Sequence, residues 1–149
     1  MEIDDFASVL ANSDFFAMCN DEQKRLLAFA SEQKQFAAGE IIYARGDASR
    51  GAYVLISGQA RAGENGSVGI KAQDIAEPGT LIGELGLIVD RPRRSTVYAY
   101  SDIELLFVPR TAFLKLIRQY PDLADKAISR IQGELSGFLS AVSGFSNSP

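Results

Sequence analysis

The spacing of apolar and polar positions changes period twice along this chain. Residues 3–11 set Ile3, Phe6, Ala7 and Leu10 at helical spacing among acidic neighbours, which predicts a short first helix. A second helix begins near Asn20 and Asp21, both able to cap it, and runs through Leu26, Leu27, Phe29 and Ala30. From Gln35 to Val108 the pattern becomes short apolar runs cut by turns: Ala38-Gly39, Arg45-Gly46-Asp47, Ser57-Gly58, Gly63 to Gly66 and Pro78-Gly79. Turns at that frequency predict a β-sandwich or barrel rather than alternating strand–helix units. Its clearest strands are Ser95–Tyr100 and Ile103–Val108. Helical spacing then returns. Thr111–Arg118 carries Phe113, Leu114 and Ile117 on one side, and Pro121 suits the first turn of a last helix. Ala124, Ile128, Ile131, Leu135, Phe138 and Val142 form a stripe along that helix, and residues 143–149 form a small, polar tail that frays. The fold class is α+β in one domain over 1–149: N-terminal helices within 3–33, a β-roll over about 35–108, and C-terminal helices within 111–142.

The candidate chemistry lies in residues 79–97. Gly79, Gly83 and Gly86 let the backbone approach a ligand closely. The apolar turn from Leu81 to Ile88 can offer its first N–H groups to an anion, aided by the dipole of a helix start. Glu84 supplies an acceptor carboxylate within the turn, and Arg93 supplies a planar guanidinium fork suited to phosphate. One acceptor and one fork across a glycine-rich turn fit a sugar hydroxyl joined to a phosphate. The same two residues could instead form an internal ion pair that holds a loop, although such pairs often add little net stability. Arg93 is read as solvent-accessible, with little part in the core. Arg91, Arg93 and Arg94 make a small basic cluster whose outer members suit a solvated turn.

Composition removes several alternatives. A formal net charge of −4 does not suit a domain built to grip nucleic acid. There is no histidine, which removes the commonest general base and metal ligand and any serine–histidine dyad. No catalytic residue and no metal site is therefore expected, and the chain is not read as an enzyme. Cys19 is the only cysteine and reads as a small core residue. The acidic start, Met1 to Asp5, lacks a secretion signal's positive charge, and no apolar run reaches membrane-spanning length. The expected location is the cytoplasm, with no membrane partner.

Gly79 to Val97 closely resembles the phosphate-binding cassette of cyclic nucleotide-binding domains, the superfamily of catabolite activators and protein kinase A regulatory subunits. Ala38-Gly39-Glu40-Ile41-Ile42-Tyr43 followed by Gly46-Asp47 is similar to that family's opening strand and turn, and Tyr53 to Gly58 to its next strand and glycine turn. The resemblance spans nearly the whole chain and implies a jelly-roll-like antiparallel barrel flanked by helices. It implies that Glu84 accepts from the ribose 2′-hydroxyl and that Arg93 pairs with the cyclic phosphate. The backbone N–H groups of Gly83, Glu84, Leu85, Gly86 and Ser95 stand where the family cradles that phosphate. One position departs from the family's cGMP-preferring pattern. Arg94 stands where those members commonly place a threonine or serine against guanine, and strand alternation points Thr96 away from Ser95. This leans the reading towards cAMP over cGMP. A long Arg94 could also reach over the pocket and alter base choice.

The function expected from the resemblance is a stand-alone sensor. It binds a cyclic nucleotide, moves its C-terminal helices and presents a changed surface to an unidentified effector protein or to a second copy in a homodimer. The stripe on the last helix suits such a paired seam. Gly133 and Gly137 let that helix bend or let another pack closely. No DNA-binding module is visible in the chain. Two competing readings are a degenerate roll that binds only protein and an enzyme of the cupin-like barrel type, which the absence of histidine disfavours.

Overall fold

The computed structural model describes residues 3–63 and 73–130. Helix α1 (Ile3–Ala11), a 3-10 turn (Asp14–Met18) and helix α2 (Asp21–Ala30) precede the strands. The start of α2 follows the expected chemistry. The Asn20 side chain accepts from the Gln23 N–H, and the Gln23 side chain accepts from the Asn20 N–H, both at 2.8 Å.

Eight strands follow: β1 (Glu32–Phe36), β2 (Ile41–Tyr43), β3 (Gly51–Ser57), β4 (Ala60–Gly63), β5 (Gln73–Ile75), β6 (Leu81–Ile82), β7 (Thr96–Ala99) and β8 (Ile103–Pro109). Helix α3 (Arg110–Gln119) comes next, and residues 121–130 are helical again, with Pro121 first in that stretch. The strands make two antiparallel four-stranded sheets, ordered β1-β8-β3-β6 and β2-β7-β4-β5. Among the described residues the two sheets form a roll and do not close into one barrel.

The apolar runs of β3 and β8 have no polar face because both sides of their sheet are covered. Along β8, Ile103 and Leu105 point between the two sheets, whereas Leu106 and Val108 point to the helices. Along β3, Leu55 lies between the sheets while Ala52 and Val54 face the helices. The helix-side core adds Leu10, Phe15, Phe16, Leu27, Phe113, Leu116, Leu123 and Ala127, with the Phe15 and Phe113 rings meeting edge to face at 5.8 Å. Strand β1 begins at Glu32, inside the span assigned above to helix. Its residues Glu32-Gln33-Lys34-Gln35 are polar because it is an edge strand paired only with β8, so no alternation betrays it. Strand β7 begins one residue after Ser95 and ends before Tyr100, and α3 extends one residue beyond its expected span at each end.

Only the start of the last-helix stripe lies within the described residues. There the core face is Leu123 and Ala127, both buried, while Ile128 of the stripe is exposed. The rest of the stripe, Gly133, Gly137, the 143–149 tail and most of the Gly63 to Gly66 turn lie outside the described residues.

Cys19 sits in the helix-side core, and burial pushes its thiol up to about 11, against a smaller opposing effect of Lys24. The thiolate is the reactive form. A thiol reagent at pH 8 is therefore expected to label Cys19 only as fast as the protein opens. Labelling of the folded protein at the rate of a small free thiol would show that Cys19 is not in the core.

Candidate functional site

The turn after β6 is built by one glycine and fixed by apolar side chains. Gly83 adopts φ +76°, the left-handed region, and starts a 3-10 turn, Glu84–Leu87. Leu87 is fully buried in the helix-side core, with Leu81, Leu85 and Ile88 packed against that core. This anchoring leaves the polar side of the turn over a cavity. The turn is a single one, so its dipole is weak. The Gly86 N–H donates to the Gly83 carbonyl at 2.9 Å, which commits it within the turn, contrary to the expectation that it is open to a ligand. The N–H groups of Glu84 and Leu85 precede that first bond. Gly86 matters for a different reason: it is buried, and a Cβ there would run into the Gly51 carbonyl and the Ser49 Oγ.

Arg93 returns to this turn from the loop that follows it. Its backbone is locked to the Gly46-Asp47 turn, with the Arg93 N–H donating to Asp47 O and the Gly46 N–H donating to Arg93 O, both at 2.8 Å. The side chain is not solvent-accessible as the sequence reading has it; Arg93 is only 8% exposed. Its guanidinium carbon lies 4.2 Å from the centre of the Tyr43 ring, and Nη2 donates to the Gly51 carbonyl at 2.9 Å. Its Nε is buried without a partner. Burial lowers the Arg93 pKa, with Tyr43, Tyr53 and Asp47 opposing and Arg110 adding to the effect of burial. A desolvated cation is costly, and an anion brought to it relieves that cost.

A cavity of about 440 Å³ opens onto this arginine, a size that suits a small ligand. Gly83, Glu84, Leu85, Gly86, Arg93, Arg94 and Ser95 all line it. Glu84 and Ser95 are half-buried, and Arg91 and Arg94 are exposed at its rim. Strand alternation appears as expected: Ser95 and Val97 line the cavity, whereas the Thr96 hydroxyl accepts from the Arg45 N–H at 3.0 Å. Ala62, Ile75 and Val97 add an apolar wall from the second sheet. Among the described residues no group of three His, Cys, Asp or Glu side chains could hold a metal, and no helix is long and apolar enough to cross a membrane.

Three residues that the sequence reading did not single out complete the site. Tyr43 stacks on Arg93, and Ser49 lines the cavity from the turn before β3. Arg110, first in α3, donates from Nη1 to Ser49 O at 2.8 Å and to Gly86 O and Val89 O at 3.3 Å, with Nη2 3.6 Å from the Asp90 carboxylate. It thereby ties two loops of the site to the start of the C-terminal helices. No local signal marks these residues, because each acts across the fold.

Comparison with known proteins agrees with this geometry. The sequence profile described as the cyclic nucleotide-binding domain matches residues 33–120. Lysophospholipase NTE1 of Chaetomium globosum is 36% identical over 106 residues, which is 69% of this chain but only 7% of that protein. Among solved structures, the N-terminal domain of a transcriptional regulator from Streptomyces coelicolor A3(2) is 25% identical with a TM-score of 0.71, covering 95% of this chain and 99% of that one. The regulatory domain of Toxoplasma gondii PKA, solved with cAMP, has a TM-score of 0.67 at 23% identity, covering 86% of this chain and 50% of that one, and shares the fold.

Proposed function

Because the chain belongs to the cyclic nucleotide-binding domain family, we propose that it is a sensor of a cyclic nucleotide, cAMP in preference to cGMP. The family's fold is a regulatory one. In this reading the cyclic phosphate sits on Arg93 and on the N–H groups of Glu84, Leu85 and Ser95, Glu84 accepts from the ribose, and the base lies along the apolar wall. The observation that carries the reading is the buried Arg93 guanidinium, whose Nε has no hydrogen-bond partner and which faces a cavity of nucleotide size. The preference for cAMP rests on Arg94 at the position after Arg93 and on the engagement of the Thr96 hydroxyl with Arg45.

The output of the sensor is a shift of its C-terminal helices towards an effector protein or a second copy. The Arg110 bonds support this, because they join the first residue of α3 to the loops that would close on ligand. The exposed Ile128 gives the following helical stretch an apolar contact for a partner. A ligand shifts such an equilibrium only by its difference in affinity for the two states.

Calorimetric titration of nucleotide-free protein tests the reading. Saturable one-site binding is expected, tighter for cAMP than for cGMP. No heat and no change in melting temperature with either nucleotide would leave a degenerate roll that serves protein contacts. Glu84→Gln is expected to weaken binding by about 1–3 kcal/mol, or roughly 5- to 150-fold, through loss of a charge-assisted acceptor. An unchanged affinity in that variant would remove Glu84 from the ribose contact.

A further inference from the structure

We propose that the Ser49 side chain is an additional donor to the ligand's phosphate, an inference that rests on the site assignment above. Ser49 is 3% exposed, and its Oγ has no hydrogen-bond partner. Among the described residues only two other buried side-chain polar atoms lack a partner, Ser13 Oγ and Arg93 Nε. Two of these three therefore belong to residues that line one cavity.

Their placement is convergent. The space beside the Gly86 Cα, where any other residue would carry its Cβ, is walled by Ser49 Oγ, the Gly51 carbonyl and Arg93 Nη1. A hydroxyl held beside a desolvated guanidinium has a donor proton with nowhere to go. An anionic oxygen meets both groups at once, accepting from the arginine and from the serine. The serine cannot drift away, because its own carbonyl is held by Arg110, which also holds the Gly86 carbonyl. Rotation about χ1 re-aims the Oγ without moving the backbone. Ser49 thus sets the position of the phosphate between the strand β3 side and the 84–87 turn.

The test compares the full chain with its Ser49→Ala variant. In calorimetric titration with cAMP the variant is expected to bind about 10-fold more weakly or worse, the loss typical of a hydrogen bond to a charged acceptor. The unliganded variant should melt no lower than the parent, since alanine removes a buried hydroxyl that has no partner. A second readout isolates the contact: the affinity ratio for the two diastereomers of a cyclic phosphorothioate should change in the variant, because Ser49 meets one exocyclic position. If the parent binds cAMP and the variant matches it in affinity and in diastereomer ratio, Ser49 does not touch the phosphate. If the parent binds no cyclic nucleotide, the site assignment itself fails and takes this inference with it.

Discussion

Replacing Arg93 with alanine is expected to weaken cyclic-nucleotide binding by between about 30-fold and several-thousand-fold, corresponding to roughly 2–5 kcal/mol for loss of one partner of a desolvated charge pair. The size follows from burial. An exposed arginine meets a phosphate in competition with water and salt, and such pairs contribute about 0–1 kcal/mol. Arg93 is already stripped of water, locked at its backbone to Gly46 and Asp47, and stacked on Tyr43 before any ligand arrives. The cost of orienting and desolvating it is therefore met in folding rather than in binding. Two opposing effects act on stability. Alanine loses the ring contact and the bond to Gly51 O, but it also removes a buried, desolvated cation. The melting temperature is expected to move by only about 4 °C either way, on the scale of about 2–4 °C per kcal/mol for a chain of this size. Arg93→Lys should recover part of the affinity, because the charge returns while the planar fork does not. The measurement is titration with cAMP beside a thermal melt. Parent affinity in the folded alanine variant would place the phosphate elsewhere.

The parts of this molecule that could be read from its sequence are those encoded by neighbours. The Gly83-Glu84 to Arg93 interval announced itself through residue types, and all of its candidate residues line one cavity. The runs around Val54 and Leu106 were legible as strands, although only the structure explains why they lack polar alternation: helices cover one face and the second sheet the other. Strand β1 was missed because it is an edge strand whose first four residues, Glu32 to Gln35, are all polar. The burial of Arg93 was misread for a related reason. A long charged side chain looks the same in a sequence whether it reaches water or folds back over a tyrosine. Tyr43, Ser49 and Arg110 were invisible as site residues because they reach the cassette from three separate segments, and such convergence has no local period.

Gly86→Ala and Gly83→Ala, one substitution at two positions of the same turn, should separate the turn's packing from its ligand chemistry. A Cβ at Gly86 would press on the Gly51 carbonyl, and that carbonyl belongs to a buried position of β3 that also accepts from Arg93. Backbone in the middle of a roll does not give way as a side-chain tip does. The 84–87 turn must lift instead, taking Leu87 part-way out of the helix-side core. Overpacking of this kind costs about 1–3 kcal/mol, which on the melting scale is a fall of roughly 2–12 °C. The lifted turn also moves its N–H groups away from Arg93, so binding of cAMP should drop by more than about 10-fold on the same energy scale. At Gly83 the Cβ would meet side chains rather than backbone, the Arg93 guanidinium above all and then the Tyr43 hydroxyl, while the backbone carries the strain of φ +76°, about 1–2 kcal/mol for a residue with a Cβ. The Gly83 variant should therefore lose affinity through a displaced guanidinium at the smaller cost in melting temperature. Thermal melts and titrations of both variants distinguish the two cases. A Gly86→Ala protein that melts and binds like its parent would mean that the turn does not rest on β3 and that the phosphate has no tight seat there.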